Sequence, residues 1–199
     1  MTVPYEDIGG CHRAHVRLGE VVGALSDDDV VRASCLPGWT VGHVLVHLAH
    51  NARAMERRID AAARSEIVDQ YPGGLAGRTA AIERDAERSP EEIRRETVES
   101  AEQLDRVFAG LDEEVWERPV RTVAGTEHPV ALLPFRRWRE VEVHLVDLGC
   151  GVTPHDWPDG LVDRSLTGLI AGLSDRAEHR ALVAWLLGRG PAPDLEPWG

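Results

Sequence analysis

The sequence predicts a mainly α protein: an antiparallel four-helix bundle carrying a small C-terminal α or α/β appendage. Three observations predict it. Apolar residues recur three and four positions apart along four long stretches, as in helices with one buried face. Pro/Gly turns and helix-start signals separate those stretches at moderate intervals, which favours helices packed side by side. The 199 residues are 43% apolar, enough for one good core and a minor second segment.

The first helix is expected over Tyr5–Ser26, where Ile8, Cys11, His15, Leu18, Val22 and Leu25 form the apolar stripe. His15 lies in the stripe and His12 beside it; histidines so placed are ordinarily packed residues with one hydrogen bond. Asp27–Trp39 reads as a connection with Pro37-Gly38 as its turn. Thr40 stands as the N-cap of a second helix running to about Ile67. Val41, Val44, Leu45, Leu48 and Ala52 form its buried face, flanked by His43, His47, His50 and Asn51. Gln70–Gly77 is a Pro/Gly-rich break, followed by a short helix over Thr79–Arg88.

Ser89-Pro90-Glu91-Glu92 reads as a capping box with proline in the first turn. The stripe Val98, Ala101, Leu104, Phe108 and Leu111 carries that helix to Gly110–Asp112. The helical period breaks over Val115–Leu133, where Val120–Val123 and Pro129–Leu132 suggest a short hairpin or an irregular excursion. Pro134 opens the last long helix and Gly149 ends it. Beyond it, Gly151–Asp159 reads as loop, Leu161–Leu173 and Ala177–Leu187 as helices, and Pro191–Trp198 as a proline tail. The expected division is a bundle over residues 1–149 and a shortened C-terminal segment over residues 150–199.

A net charge of −12 argues against a nucleic-acid binder, which needs a basic surface to meet phosphates. No stretch is long and apolar enough to span a bilayer, and the N-terminus has no apolar signal core, so the expectation is a cytoplasmic protein. Cys11, Cys35 and Cys150 are odd in number, widely spaced and without a Cys-x-x-Cys pair. They read as three small buried hydrophobes in a reducing compartment.

The chemistry concentrates in Arg136–Gly149, RRWREVEVHLVDLG. Glu140 and His144 stand four apart, so both leave one helix face. Carboxylate oxygen and imidazole nitrogen suit first-row divalent cations, and bundles build such sites from facing helices. On spacing alone, Glu/His pairs of this kind also occur by chance on surface helices. A third ligand would come from the second helix. His47 is preferred because it lies two turns inside the helix beside the apolar face, whereas His43 is in the first turn and His50 turns toward solvent. There is no His-Glu-x-x-His, Gly-x-Ser-x-Gly, Walker loop or Gly-x-Gly-x-x-Gly, which leaves zincin, serine-hydrolase, nucleotide-hydrolase and dinucleotide readings without a motif.

Leu36–Ala49, LPGWTVGHVLVHLA, resembles the first signature of the mycothiol-dependent maleylpyruvate isomerase family, within the DinB-like bundle superfamily. Arg137–Gly149, RWREVEVHLVDLG, resembles its second signature, and Ala184–Gly190, AWLLGRG, its C-terminal one. The resemblance implies a divalent metal, typically zinc, held by His47, Glu140 and His144, and a role for Arg189 in the active site. It implies mycothiol as thiol cofactor or cosubstrate and an electrophilic small molecule as substrate. A coordinated thiol loses its proton, because a metal depresses the pKa of what it binds. The thiolate then adds to an activated double bond, giving cis–trans isomerisation, or ends in thiol transfer. Arg189 would grip a substrate carboxylate with two prongs. The sequence departs from the family in one respect: the family's C-terminal α/β domain is of ordinary domain size, and only a short stretch follows Gly149 here.

Asp147 and Asn51 are expected either to orient ligands or to lie on helix surface, Glu142 to be solvated, and Trp39 and Trp138 to be packing anchors. Two histidines and a carboxylate can also form an Fe(II) oxygenase triad, which the helical pattern disfavours. A third reading is a non-catalytic or partner-binding metal-containing bundle, supported by the short C-terminal segment. No nucleic-acid or membrane partner is expected. Apolar bundle faces left uncovered by a small appendage would allow a dimer.

Overall fold

The computed structural model describes residues 3–196. Helix α1 (Tyr5–Ala24) buries Cys11, Ala14, Leu18 and Val22. The expected connection after it contains α2 (Asp27–Val31), a five-residue helix too short to show a period. It is set by a capping box between Ser26 and Asp29. Helix α3 (Val41–Ala63) starts at its Thr40 cap and stops short of Ile67. Helix α4 (Gly74–Asp85) begins inside the expected Pro/Gly break and ends before Arg88. Gly73, at φ +74°, makes that entry turn, so the glycines start the helix as well as breaking the chain.

Helix α5 (Pro90–Ala109) has the expected capping box of Ser89 and Glu92. The irregular excursion is a small antiparallel hairpin, β1 (Pro119–Arg121) with β2 (Glu127–Pro129), Val120 facing His128. Its second strand precedes the apolar run expected there, because Val130–Leu132 form a 3-10 turn leading into α6 (Leu133–Asp147). Gly149, at φ +64°, closes α6, its N–H donating to Val146 O at 3.0 Å.

Helices α1, α5, α3 and α6 pack in a ring, each touching the next. Their contacts fix the directions. Leu45 meets Thr97 and Glu56 meets Gln103, so α3 and α5 run the same way. Arg137 meets Asn51 while Glu140 meets His47, so α3 and α6 run oppositely. Helix α4 makes the parallel α3–α5 connection possible by returning the chain along α3. Between α1 and α6, Gly10 lies flat on Trp138: a Cβ there would stand 2.3 Å from the indole. Trp138 is thus the packing anchor expected of it.

The chain divides into two compact units, residues 1–156 and 157–199. The second contains α7 (Asp159–Ala171) and α8 (His179–Leu186), with no strand among its described residues. Leu161 and Leu182 are buried, whereas Leu166, Ile170, Val183, Leu186 and Leu187 are exposed. Residues 191–196 follow without regular structure, and residues 197–199, the end of the expected proline tail, lie outside the described residues. Among the described residues no helix is long and apolar enough to cross a membrane.

The cysteines depart from expectation. Cys11 is buried, but Cys35 is exposed and Cys150 half-buried.

Candidate metal centre

Helix α3 carries His43, His47 and His50 along one flank, and α4 lies against it. The outer two histidines are engaged locally. His43 serves the helix start, its Nδ1 2.7 Å from Thr40 Oγ1, and its Nε2 is 3.4 Å from Glu83. His50 Nε2 lies 2.8 Å from Asp85 Oδ2. His47, between them, is buried and turns to α6, with Nε2 2.8 Å from Glu140 Oε1. The same oxygen lies 3.7 Å from His144 Nε2. One donor atom from each of His47, Glu140 and His144 falls within 4.8 Å of the other two, so the structure brings the three expected residues together. Their rings crowd: the His47 and His144 centroids are 4.6 Å apart, edge to face.

Burial and charge set the protonation of the group. Burial pushes the His47 imidazole down to about 4, against the pull of Glu140. Burial would raise Glu140, but the two imidazoles beside it outweigh that and hold it well below the usual carboxylate range. Burial would lower His144, but Asp147 and Glu140 raise it to about 9. At neutral pH the group is therefore a neutral His47, an ionised Glu140 and a protonated His144.

The environment fits a cation. Asp147 Oδ2 lies 2.8 Å from His144 Nδ1, the carboxylate partner that metal-bound histidines ordinarily have. With its Nδ1 proton on Asp147, His144 turns Nε2 toward Glu140. His47 differs. Arg78, on α4, donates from Nη2 to His47 Nδ1 at 3.0 Å. A guanidinium only donates, so Nδ1 holds the lone pair and Nε2–H points to Glu140. Binding a cation through Nε2 requires that proton to leave and Arg78 to give up its bond.

Arg78 is the residue sequence reasoning missed, because α4 was expected to start after it. Its guanidinium carbon is 6.0 Å from the Trp39 ring centroid and 5.8 Å from that of Tyr71. Trp39 also lies over His43 and His47, at 6.2 and 5.9 Å, so it borders the site as well as packing. Asn51 follows His47 by one turn on α3 and gives its side chain to another partner: its Oδ1 accepts from Arg137 at 3.0 Å. Glu142, expected to be solvated, is buried, with Arg17 Nη1 at 3.1 Å from its carboxylate. The neighbouring helix brings a counter-charge that α6 alone could not show.

Arg189 belongs to the second unit. Its Nη1 donates to the carbonyls of Leu187 at 3.3 Å and Gly188 at 3.2 Å, closing the end of α8.

A second cluster gathers Cys11, His15 and Asp105. His15 Nδ1 lies 2.7 Å from Asp105 Oδ1, and Asp105 Oδ2 lies 2.8 Å from His12. Arg137 Nε donates to His15 Nε2 at 3.0 Å. The Cys11 thiol, pushed up by burial, resists the ionisation a ligand needs, so this cluster is a sound buried network rather than a place for a cation.

A ring of four long helices connected in this way defines the class, the DinB-like four-helix bundles. The mycothiol maleylpyruvate isomerase N-terminal domain model matches residues 11–149, and the chain belongs to that family. Solved structures agree. A mycothiol-dependent maleylpyruvate isomerase superposes with a TM-score of 0.76 at 25% identity, over 82% of this chain and 70% of that one. A histidine-to-alanine mutant of a mycothiol-dependent maleylpyruvate isomerase gives 0.80 at 25% identity, over 89% and 76%. YfiT from Bacillus subtilis, described as a probable metal-dependent hydrolase with an unusual four-helix bundle topology, gives 0.58 at 16% identity, over 73% and 85%. The last likeness concerns the fold alone. A search of curated proteins found no match.

Proposed function

We propose that this chain is a divalent-metal-dependent enzyme that activates a low-molecular-weight thiol, mycothiol, for cis–trans isomerisation or thiol transfer on an electrophilic small molecule. The observation that carries the reading is the convergence of His47, Glu140 and His144 from two helices onto one point. Family membership supports the thiol and the reaction class.

In this reading His47, Glu140 and His144 hold the cation, most simply zinc, and Asp147 orients His144. The cation supplies Lewis acidity, lowering the pKa of a thiol so that a thiolate is present at neutral pH. Arg78, released from His47, keeps a positive charge beside the site, and Trp39 walls it. Arg189 is proposed to hold a substrate carboxylate. The bundle over residues 1–149 would act as the metal-binding domain and residues 150–199 as a second segment, in a cytoplasmic protein.

Metal content after purification without chelator, compared between wild type and His47→Ala, tests the centre. Loss of the metal in the variant is expected, and equal content removes His47 from the site. Turnover of maleylpyruvate should require mycothiol, and thiol-independent turnover would overturn the mechanism. Arg189→Ala should raise KM with metal content unchanged. The tie of Arg189 to its own helix end and the exposed apolar residues of α7 and α8 favour a second reading, a metal-containing bundle that binds a partner without catalysis. Full metal loading with no turnover of any thiol–electrophile pair would select it.

A further inference from the structure

Cys35 and Cys150 have no part in the metal centre, yet they come from distant stretches and meet at the end of α6. Cys35 lies on the loop between α2 and α3, and its N–H donates to Asp147 O at 2.8 Å. Its sulfur stands 3.2 Å from the point a Cβ on Gly149 would occupy, so it rests on the open side of that glycine. Cys150 is the next residue.

Arg32, just after α2, joins the two. Its Nη1 is 3.6 Å from that same point on Gly149. Its Nη2 donates to Cys150 Sγ at 3.0 Å and to the carbonyls of Leu148 and Gly149 at 3.0 and 3.3 Å. The Cys150 thiol is directed at Leu148 O, 3.4 Å away. An exposed thiol, a half-buried thiol and a guanidinium thus share one glycine. Burial raises the Cys150 thiol and the Arg32 charge opposes it, while the nearby Cys35 thiol adds to the rise.

We propose that Cys35 and Cys150 form a dithiol redox site that exchanges with low-molecular-weight disulfides and closes to a Cys35–Cys150 disulfide. The inference stands on these contacts and is independent of the metal reading. Cys35, the accessible thiol, enters first. Its thiolate, having lost its proton to solvent, attacks one sulfur of R–S–S–R; that S–S bond breaks and R–S⁻ leaves. The Cys150 thiolate, its charge stabilised by Arg32 after its proton passes to solvent, attacks the Cys35 sulfur of the mixed disulfide and expels the second R–S⁻. Two protein thiols are oxidised, one small disulfide is reduced to two thiols, and the two released protons match the two leaving thiolates. Closure ties the loop that carries Trp39 to the end of the helix that carries Glu140 and His144.

The test uses the full chain, reduced, freed of reductant and incubated with oxidised glutathione. Wild type should lose the mass of two hydrogens, with peptide mapping linking positions 35 and 150 and leaving the buried Cys11 thiol free. Cys150→Ser should trap glutathione on Cys35. Arg32→Gln should slow closure several-fold while Cys35 takes up glutathione at the wild-type rate. A stable mixed disulfide on Cys35 in wild type, two chains linked through Cys35, or no reaction at either cysteine would each overturn the proposal. Should a variant fail to fold, the wild-type map alone decides.

Discussion

His144 and His47 are both imidazoles within reach of Glu140, yet their surroundings drive them in opposite directions. The difference has a measurable consequence in metal-free protein. The unfolded chain protonates His47 below its ordinary 6.5, while the fold refuses the proton until about 4, so stability falls as pH drops through that window. Glu140, held ionised, adds a loss as pH falls below its ordinary 4.5. His144, raised to about 9, contributes stability that is complete below 6.5 and is lost as pH climbs toward 9. Thermal melts in chelator should therefore show an optimum near pH 6.5 from this group, and His144→Gln should remove the alkaline limb and reduce the acid limb, because His144 also helps hold Glu140 and His47 down. An alkaline limb unchanged in that variant would mean that His144 is not held protonated by Glu140 and Asp147. The role of Asp147 is separable. Asp147→Asn keeps the size but loses the charge that orients the ring, and metal affinity in a chelator competition should fall by about 10- to 100-fold. Undiminished affinity would reduce Asp147 to helix surface.

At the scale of elements, α1 and α6 depend on one small residue. Gly10 allows the Trp138 indole to lie against the α1 backbone, and a methyl group there would stand 2.3 Å from the ring. Alanine improves helix propensity by about 1 kcal/mol, but displacing a buried tryptophan costs about 1–3 kcal/mol by overpacking. Gly10→Ala should therefore lower the urea midpoint with the slope unchanged; a stabilised variant would show that Trp138 yields freely. The sequence makes α1, α3, α5 and α6 legible because each is long enough for its apolar period to repeat, and Thr40 and Ser89 mark two of the starts. It leaves α2 and α4 obscure for different reasons. Helix α2 has five residues and no room for a period. Helix α4 opens on glycines, buries only Ile82 among its residues and is held by charged contacts with α3. The triad was legible for the same reason in reverse: Glu140 and His144 share a helix, and His47 lies two turns inside α3 beside its apolar face, whereas His43 sits in the first turn as part of the cap. Arg78 was invisible because its meaning depends on which way α4 returns. Glu142 needed the neighbouring Arg17, which no periodicity reveals.

Across the whole bundle, one buried cation sets the distance between the two helices that carry the triad. Arg137 is fully buried on α6. It donates to Leu48 O at 2.8 Å and to Asn51 Oδ1 at 3.0 Å on α3. It also donates to His15 Nε2 on α1, and His15 in turn holds Asp105 on α5. All four helices of the ring thus meet in one polar chain whose only full anion, Asp105, is reached through an imidazole. Removing the guanidinium leaves a carbonyl, an amide oxygen and an imidazole nitrogen without their donor, and breaking a buried charged network of this kind costs about 3–5 kcal/mol. Leu48 and Asn51 both follow His47 within about one turn of α3, while Arg137 lies one turn before Glu140, so the same contacts fix the separation of His47 from Glu140. Arg137→Ala should accordingly show two effects together: a large fall in the urea midpoint and weaker metal binding, although the Arg137 guanidinium hydrogen-bonds His15, Leu48 and Asn51 rather than any of the three donor residues. Asn51→Ala removes a single acceptor and should show both effects in the same ratio and smaller. If Arg137→Ala loses stability but binds metal as tightly as wild type, the triad is positioned by apolar packing of α3 on α6, and the polar chain serves the fold alone.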